Sequence, residues 1–211
     1  MVGFPIFGGR TAAEESNLKS PRIPPAPRPY SEAIQRRLEK IMGPGKEPLV
    51  LFTTLARDER LFERFTGGGL LDRGHLTLRQ REIVIDRVTA CCGSEYEWGV
   101  HITMFAEKAK LTAEQIASIQ RGGAEDDCWE PADALLIRLC DALHANSDVD
   151  DALWEALSPH FDAEAILELL LLAGFYRTVS YLTNSLRLPL EPWAARFSAD
   201  AAPPMQSPSV P

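Results

Sequence analysis

The 211-residue sequence predicts an all-α fold, a compact helical bundle. Residues that cap helix N-termini recur through the middle of the chain, and the apolar residues after them repeat at helical spacing. Runs that alternate polar and apolar residues, as half-buried strands do, are scarce. We therefore expect one helical domain over about residues 31–190.

Both ends of the chain differ from this middle in composition. Residues 1–30 are rich in Gly and Pro, and SPRIPPAPRP within them favours an extended backbone. The last residues, SADAAPPMQSPSVP, have the composition of a disordered tail. We expect an extended or flexible N-terminal arm over residues 1–30 and a flexible C-terminal tail over residues 191–211.

Helix signals divide the first part of the domain into short elements. Ser31 is placed to cap a helix that runs through Met42, where GPG ends it. Two short helices are expected next, from Pro48 to Ala56 and from Asp58 to Phe65. The glycines at 67–69 then break the chain.

Stronger signals follow. Thr77, with a glutamine three residues later, forms a capping box for a helix that ends at about Cys91. Gly93 suits the end of that helix, and a further helix is expected from Ser94 to about Lys108.

Later helices are predicted to begin at Thr112, Pro131, Asp150 and Asp162. The last of them extends to about Leu186, and its run ILELLLLAGFY is apolar on most faces. We expect this helix to be buried, either in the core or in a subunit interface.

The chain is acidic, with a net charge of -8 and a pI of about 5.1. This charge argues against nucleic acid and against an anionic membrane surface as partners. The N-terminus does not resemble a secretory signal, and the most apolar stretch, Leu169 to Tyr176, is too short to cross a bilayer. We expect a soluble cytoplasmic protein.

The four cysteines do not form a recognisable framework. Cys91 and Cys92 are adjacent, no pair has CxxC spacing, and Cys and His lack the spacing of a structural zinc site. We therefore expect reduced thiols and no metal site.

One segment, LTLRQREIVIDRVTACCGSEYEWGVH, concentrates acid, base and hydrogen-bonding groups. It holds Glu82, then Ser94, Glu97 and His101 beyond a helix break. The last three fall at i, i+3 and i+7, so they share one helix face. Such groups are those that proton-transfer chemistry needs.

Each of these residues also has a structural interpretation. Ser94 with Glu97 has the spacing of a capping box, and a single histidine on a partly apolar face is often a packed core residue. Glu82 is flanked by arginines and could be surface charge. If Glu82 instead lies at the rim of the core, its pKa would rise and it would suit acid–base work.

The segment resembles the carboxymuconolactone decarboxylase superfamily, which includes the alkylhydroperoxidase-D-like proteins. In the peroxidase branch a Glu precedes a CxxC, and a His follows it. Glu82 and His101 hold those outer positions, whereas Ser94 and Glu97 stand where the redox cysteines would be. The sequence is thus more similar to the decarboxylase-like branch, which lacks the redox CxxC. The resemblance covers about residues 45–190.

This resemblance implies a compact helical fold in a homo-oligomer, a trimer or hexamer, and a lyase or isomerase without cofactor that acts on a small oxygenated acid or lactone. His101 is the candidate general acid, with Glu97 to orient it and Glu82 as a second acid/base. The candidate substrate-binding residues are Ser94, Tyr96, Trp98, Arg81 and Arg87, of which one arginine would hold a carboxylate.

Two other functions remain open. One is a thiol peroxidase that uses Cys91 or Cys92. The other is a non-catalytic oligomeric binding or scaffold protein on the same fold, which a sealed, buried His101 would favour.

Overall fold

The computed structural model describes residues 20–198, and within that range every regular element is a helix. The helices are α1 (Glu32–Met42), α2 (Val50–Leu55), α3 (Glu59–Gly67), α4 (Leu78–Cys91), α5 (Glu95–Phe105), α6 (Ala113–Arg121), α7 (Pro131–Asn146), α8 (Asp151–Leu157) and α9 (Ala163–Leu186). The predicted all-α fold is confirmed.

Local capping explains where most of these helices begin. The side chains of Ser31, Asp58, Asp150 and Asp162 each accept a hydrogen bond from a backbone N–H in the first turn. Thr77 and Thr112 each form a complete capping box, in which a glutamine side chain also accepts from the backbone N–H of the threonine.

Helix α4 is the centre of the bundle. It packs against α5, α6, α7 and α9, and an unbroken stretch from Glu82 to Asp86 is buried. Since partners surround α4, even its polar side chains are removed from water. This burial places the carboxyl groups of Glu82 and Asp86 in the protein interior.

Helix α9 is the longest helix and buries Leu169, Leu172 and Tyr176 against α4 and α5. Its 24 residues and mean hydropathy of 1.4 meet the length and composition of a membrane span. Its inward face packs in the bundle and it carries Glu168 and Arg177, so we interpret it as a core helix.

A tight turn joins α4 to α5. Gly93 has a φ of +63°, which glycine adopts without strain, and the N–H of Ser94 donates to the carbonyl of Thr89 over 2.8 Å. The turn folds α5 back along α4. It therefore brings residues near the start of α4 beside residues near the middle of α5.

The packed part of the chain extends beyond the predicted boundary at residue 190. Glu191 accepts hydrogen bonds from the Val50 N–H and the Tyr96 hydroxyl, and Ala194 is buried. Residues 191–198 are thus bound to the domain, which corrects the expectation of a free tail there. Local composition could not show this, because the contacts come from distant helices.

The predicted N-terminal arm is also partly attached. The N–H of Arg22 donates to the carbonyl of Leu186, and that of Ala26 to the carbonyl of Thr53. The remainder of the arm (residues 1–19) and of the tail (residues 199–211) lies outside the described residues.

Gly99 is where the C-terminal segment touches α5 most closely. A Cβ atom at position 99 would collide with the carbonyl oxygen of Ala195. We expect Gly99→Ala to destabilise the protein by about 1–3 kcal/mol, since backbone must shift to make room. Gly67→Ala is the matched control, because a Cβ there meets open space. Chemical denaturation of both variants tests this, and equal stabilities would contradict it.

Candidate functional site

The structure brings Glu82 and His101 into direct contact. Nδ1 of His101 lies 2.8 Å from Oε2 of Glu82, and the two residues are 4% and 0% exposed. A hydrogen bond in so dry a setting is strong and fixes the plane of the imidazole ring. Nε2, on the far side of the ring, is left free for other contacts.

Glu97 faces that second ring nitrogen. It lies one turn before His101 on α5, and its Oε1 is 3.5 Å from Nε2. Its other oxygen, Oε2, is buried without a hydrogen-bond partner in the part of the chain that the structure describes. Glu97 thus has fewer polar contacts than Glu82, and its Oε2 can accept a further hydrogen bond.

These contacts set the charge of His101. Burial by itself lowers the pKa of an imidazole, but the hydrogen bonds and negative charges of Glu82 and Glu97 outweigh it and raise the pKa of His101 to about 10. The ring is therefore a cation at neutral pH. The sequence-based hypothesis that these three side chains share one site agrees with this geometry, whereas their catalytic role remains a prediction.

Arg81 closes one edge of the cluster. Its Nε donates to Oε1 of Glu82 over 3.4 Å, and its Nη1 donates to the carbonyls of Leu71 and Asp72 in the loop before α4. The side chain is 14% exposed, more than any other charged group in contact with Glu82 or His101. The cluster approaches solvent here.

Aromatic rings form the walls. The ring of Tyr176, on α9, meets that of His101 edge-on with centroids 5.1 Å apart, and the Phe105 ring lies 5.3 Å away. These low-dielectric walls strengthen the ionic contacts inside.

Asp86 is a member of this region that the sequence analysis did not select. It is fully buried one turn after Glu82, and neither of its carboxyl oxygens has a hydrogen-bond partner within residues 20–198. Burial chiefly, and then the charge of Glu82, raises the pKa of Asp86 well above its usual value. A signal was present, since Glu82 and Asp86 have the same i, i+4 spacing as Glu97 and His101.

Three predicted substrate-binding residues have structural contacts instead. Ser94 is the N-cap residue of α5, but its side chain makes no capping hydrogen bond, because its hydroxyl bonds that of Thr183 at 2.8 Å. The Tyr96 hydroxyl donates to Glu191 over 2.6 Å. Trp98 is 3% exposed and packs on the Phe197 ring. These contacts correct both the capping-box interpretation and the expected pocket lining.

Arg87 is also engaged elsewhere. It binds both carboxylate oxygens of Asp141 and donates to the carbonyls of Ile119 and Gly122. It therefore joins α4 to α6 and α7 as a structural ion pair. The expectation that Arg87 binds substrate needs correction, because its donors already have partners.

The thiols lie against α7. Sγ of Cys91 contacts Asp141 at 3.6 Å, and that of Cys92 lies 4.0 Å from His144. Burial raises the pKa of Cys91 to about 12 and raises that of Cys92 as well. Both are protonated near neutral pH, when a thiol is a poor nucleophile.

The cluster is closely packed. Two cavities lie elsewhere, one of about 180 Å³ beside His144 and Arg177 and one beside α6, and neither is lined by Glu82, Glu97 or His101. Among residues 20–198, no group of three or more His, Cys, Asp or Glu side chains has an arrangement suited to a metal ion. The Arg81 edge is therefore the part of the cluster nearest to solvent.

Comparison with solved structures defines the fold class. An uncharacterised peroxidase-related protein from Silicibacter sp. TM1040 has a TM-score of 0.71 and 13% identity, and the match covers 83% of this chain and 96% of that protein. An alkylhydroperoxidase AhpD core protein from Ralstonia eutropha JMP134 has a TM-score of 0.69 and 18% identity, with 81% and 93% covered. A variant of the debrominase Bmp8 in complex with 2,3,4-tribromopyrrole has a TM-score of 0.61 and 16% identity, with 81% and 92% covered. The chain thus has the alkylhydroperoxidase-D-like fold.

A family match of the sequence agrees with this fold. Residues 59–139 match the carboxymuconolactone decarboxylase family, and this range includes Glu82, Glu97 and His101. The recognition of the carboxymuconolactone decarboxylase superfamily is thereby confirmed. No curated protein matches the sequence.

The raised pKa of His101 predicts how stability depends on pH. Its folded-state pKa of about 10 exceeds the unfolded value of 6.5. The stabilisation is therefore fully present below pH 6.5 and is lost as pH rises towards 10. We expect a loss of about 3–5 kcal/mol over this range. Urea denaturation from pH 6 to pH 10 measures it. His101→Gln should remove the part of the dependence that comes from His101 and leave the part that comes from the raised pKa of Asp86. An unchanged slope in that variant would contradict the assignment.

Proposed function

We propose that the protein is an acid–base enzyme without cofactor, a lyase or isomerase in the manner of carboxymuconolactone decarboxylases. The observation that carries the proposal is the Glu82–His101–Glu97 chain, in which a buried imidazolium is held between two carboxylates. A fixed buried cation can stabilise the negative charge that develops on an enolate oxygen.

In this proposal the two glutamates have roles that differ from those expected from the sequence. Glu82 is fully buried and bonded to both His101 and Arg81, so it orients the ring and keeps it charged. Glu97 has the unpaired oxygen, and its position at Nε2 makes it the candidate base. The two glutamates thus exchange the functions first given to them.

The contacts of the two arginines limit the class of substrate. All three nitrogens of the Arg87 guanidinium bind Asp141 or backbone carbonyls, whereas Arg81 binds Glu82 through Nε and the carbonyls of Leu71 and Asp72 through Nη1. A substrate carboxylate could reach only Nη2 of Arg81 without displacing one of these contacts. This favours an uncharged lactone or a similar enolisable carbonyl compound over a free acid, and proton transfer within the molecule over loss of carbon dioxide.

A thiol peroxidase is disfavoured. The raised pKa values of Cys91 and Cys92 keep both as thiols, and each contacts α7 rather than the imidazole of His101. We therefore do not propose for this chain the peroxidase activity suggested by the names of its structural neighbours.

A non-catalytic scaffold is favoured by one observation, the near-complete burial of His101. In an enzyme, by contrast, a substrate would reach His101 only if the loop at Leu71 and Asp72 moved away from Arg81. The scaffold alternative predicts that the cluster contributes to stability alone, and this distinguishes it from an enzyme.

The test is a proton-transfer assay. Unsaturated lactones, their ring-opened acids and simple enolisable ketones are incubated with the protein in D₂O, and ¹H NMR follows deuterium entry at carbon. We expect exchange with a lactone or ketone, reduced about two to four orders of magnitude in His101→Gln. Thermal unfolding shows whether that variant still folds.

The Cys91→Ser/Cys92→Ser double variant is the control, and it should exchange deuterium at the wild-type rate. Loss of activity in this variant with the fold intact would favour the thiol enzyme. Failure of every compound to exchange, together with a His101→Gln variant that is merely less stable, would favour the scaffold.

The outer face of α9 supports the proposal that the protein is a homo-oligomer. Leu167, Leu171 and Tyr181 are 61%, 65% and 58% exposed, and with Gly174 they follow one face of the helix. Exposed apolar side chains that repeat along one face in this way are typical of a helix that packs against another subunit.

We expect light scattering to show a trimer or a hexamer at micromolar concentration. Leu171→Glu should shift the protein towards smaller species, because it places a charge in the stripe. Leu61→Glu, at an exposed leucine on α3, should leave the mass unchanged. A wild-type monomer would refute this proposal.

A further inference from the structure

Asp86 is a buried titratable group to which the proposed mechanism gives no role. Its side chain comes from the centre of α4 and is 0% exposed. Neither oxygen has a hydrogen-bond partner among the described residues, although most buried carboxylates are paired. An ionised carboxylate in that position would be very costly, whereas a neutral carboxylic acid would not.

The surrounding charges agree with a neutral Asp86. The groups that act on its carboxyl are Glu82 from its own helix and His101 and Glu97 from α5, and Tyr176 of α9 senses the same cluster. With Arg81 at the edge, two carboxylates balance two cations. A third carboxylate would leave an enclosed cluster with net negative charge.

The local geometry leaves this acid without a protein partner. Glu82 uses both oxygens on His101 and Arg81, and the imidazolium directs its two N–H groups at Glu82 and Glu97. Of the four side chains in this cluster, Asp86 is the one that makes no hydrogen bond within residues 20–198. A donor without a partner in a polar cluster is suited to a ligand.

We propose that Asp86 is a catalytic residue of this site, the neutral acid that donates a proton to the substrate while Glu97 removes one. This inference rests on the proposed acid–base function and names the missing donor for it. The substrate class is an uncharged enolisable carbonyl compound, such as an unsaturated lactone.

In the proposed step the substrate loses one proton to Glu97 and gains one from Asp86. Glu97 Oε2 takes a proton from the carbon next to the carbonyl, and the C–H electron pair becomes part of an enolate whose negative charge is stabilised by the positive charge of His101. A carbon further along the conjugated system then takes the proton from Asp86, and the O–H electron pair stays on the Asp86 oxygen. The double bond has moved and nothing has been oxidised. Return of the proton from Glu97 to Asp86 restores the starting state.

The protonation state is tested first, and it needs no substrate. Infrared difference spectra at neutral pH should contain a protonated-carboxyl band that Asp86→Asn removes. Asp133→Asn is the matched control, because Asp133 is also buried but is paired with Arg79 at 2.8 Å. It should leave the band unchanged. A wild-type protein without the band, or an Asp86→Asn variant that retains it, overturns the proposal.

The donor role is tested with the same variant in the deuterium assay. Asp86→Asn keeps the shape but cannot supply a proton, so exchange at the distal carbon should fall by about two to four orders of magnitude. Asp86→Glu should restore part of it. The wild-type rate should decline at alkaline pH, where Asp86 loses its proton. Unfolding measurements confirm that each variant folds.

The two proposals fail in different ways. If His101→Gln abolishes exchange and Asp86→Asn does not, Asp86 is not the donor, and the acid–base function stands. If no compound exchanges with the wild-type protein, the proposed function fails and the donor role falls with it, whatever the infrared band shows.

Discussion

The buried hydrogen bond between Glu82 and His101 is the interaction on which the organisation of this site depends. It joins α4 to α5 across the Gly93 turn, it fixes the ring plane, and it keeps the imidazole charged. The other polar contacts of the cluster follow from it. Arg81 compensates the far oxygen of Glu82, and Glu97 meets the nitrogen that this bond leaves free.

Such an arrangement is costly for a fold. A buried ion pair rarely stabilises a protein more than packed apolar side chains of similar volume would, because both charges lose their water. Here a third carboxyl, that of Asp86, adds a further buried polar group without a partner within residues 20–198. The rest of α4 is densely packed with Ile83, Val84 and Ile85, so the polar side chains are exceptions in an apolar core. That contrast is what supports a chemical purpose.

The fold is shared with peroxidase-related proteins, but the chemistry around the imidazole is not that of a thiol site. Ser94 bonds Thr183, and Glu97 contacts His101, at the positions where the peroxidase branch has its cysteines. Cys91 and Cys92 face α7 and are kept protonated by burial. The same helical fold thus carries different side chains at these positions.

The sequence by itself determined the helices and the position of Glu97 one turn before His101, because capping boxes, helical period and i, i+4 spacing are local properties. The glycine at position 93 further predicted that α4 and α5 fold together, which brings Glu82 to His101. Tertiary structure alone decided what each polar group contacts. Tyr96 bonds Glu191 and Arg87 bonds Asp141 through segments far apart in sequence. The pKa of Asp86 is raised by its burial and by the charges of Glu82 on α4 and Glu97 on α5. Long-range packing sets burial and pairing, and no local pattern records them.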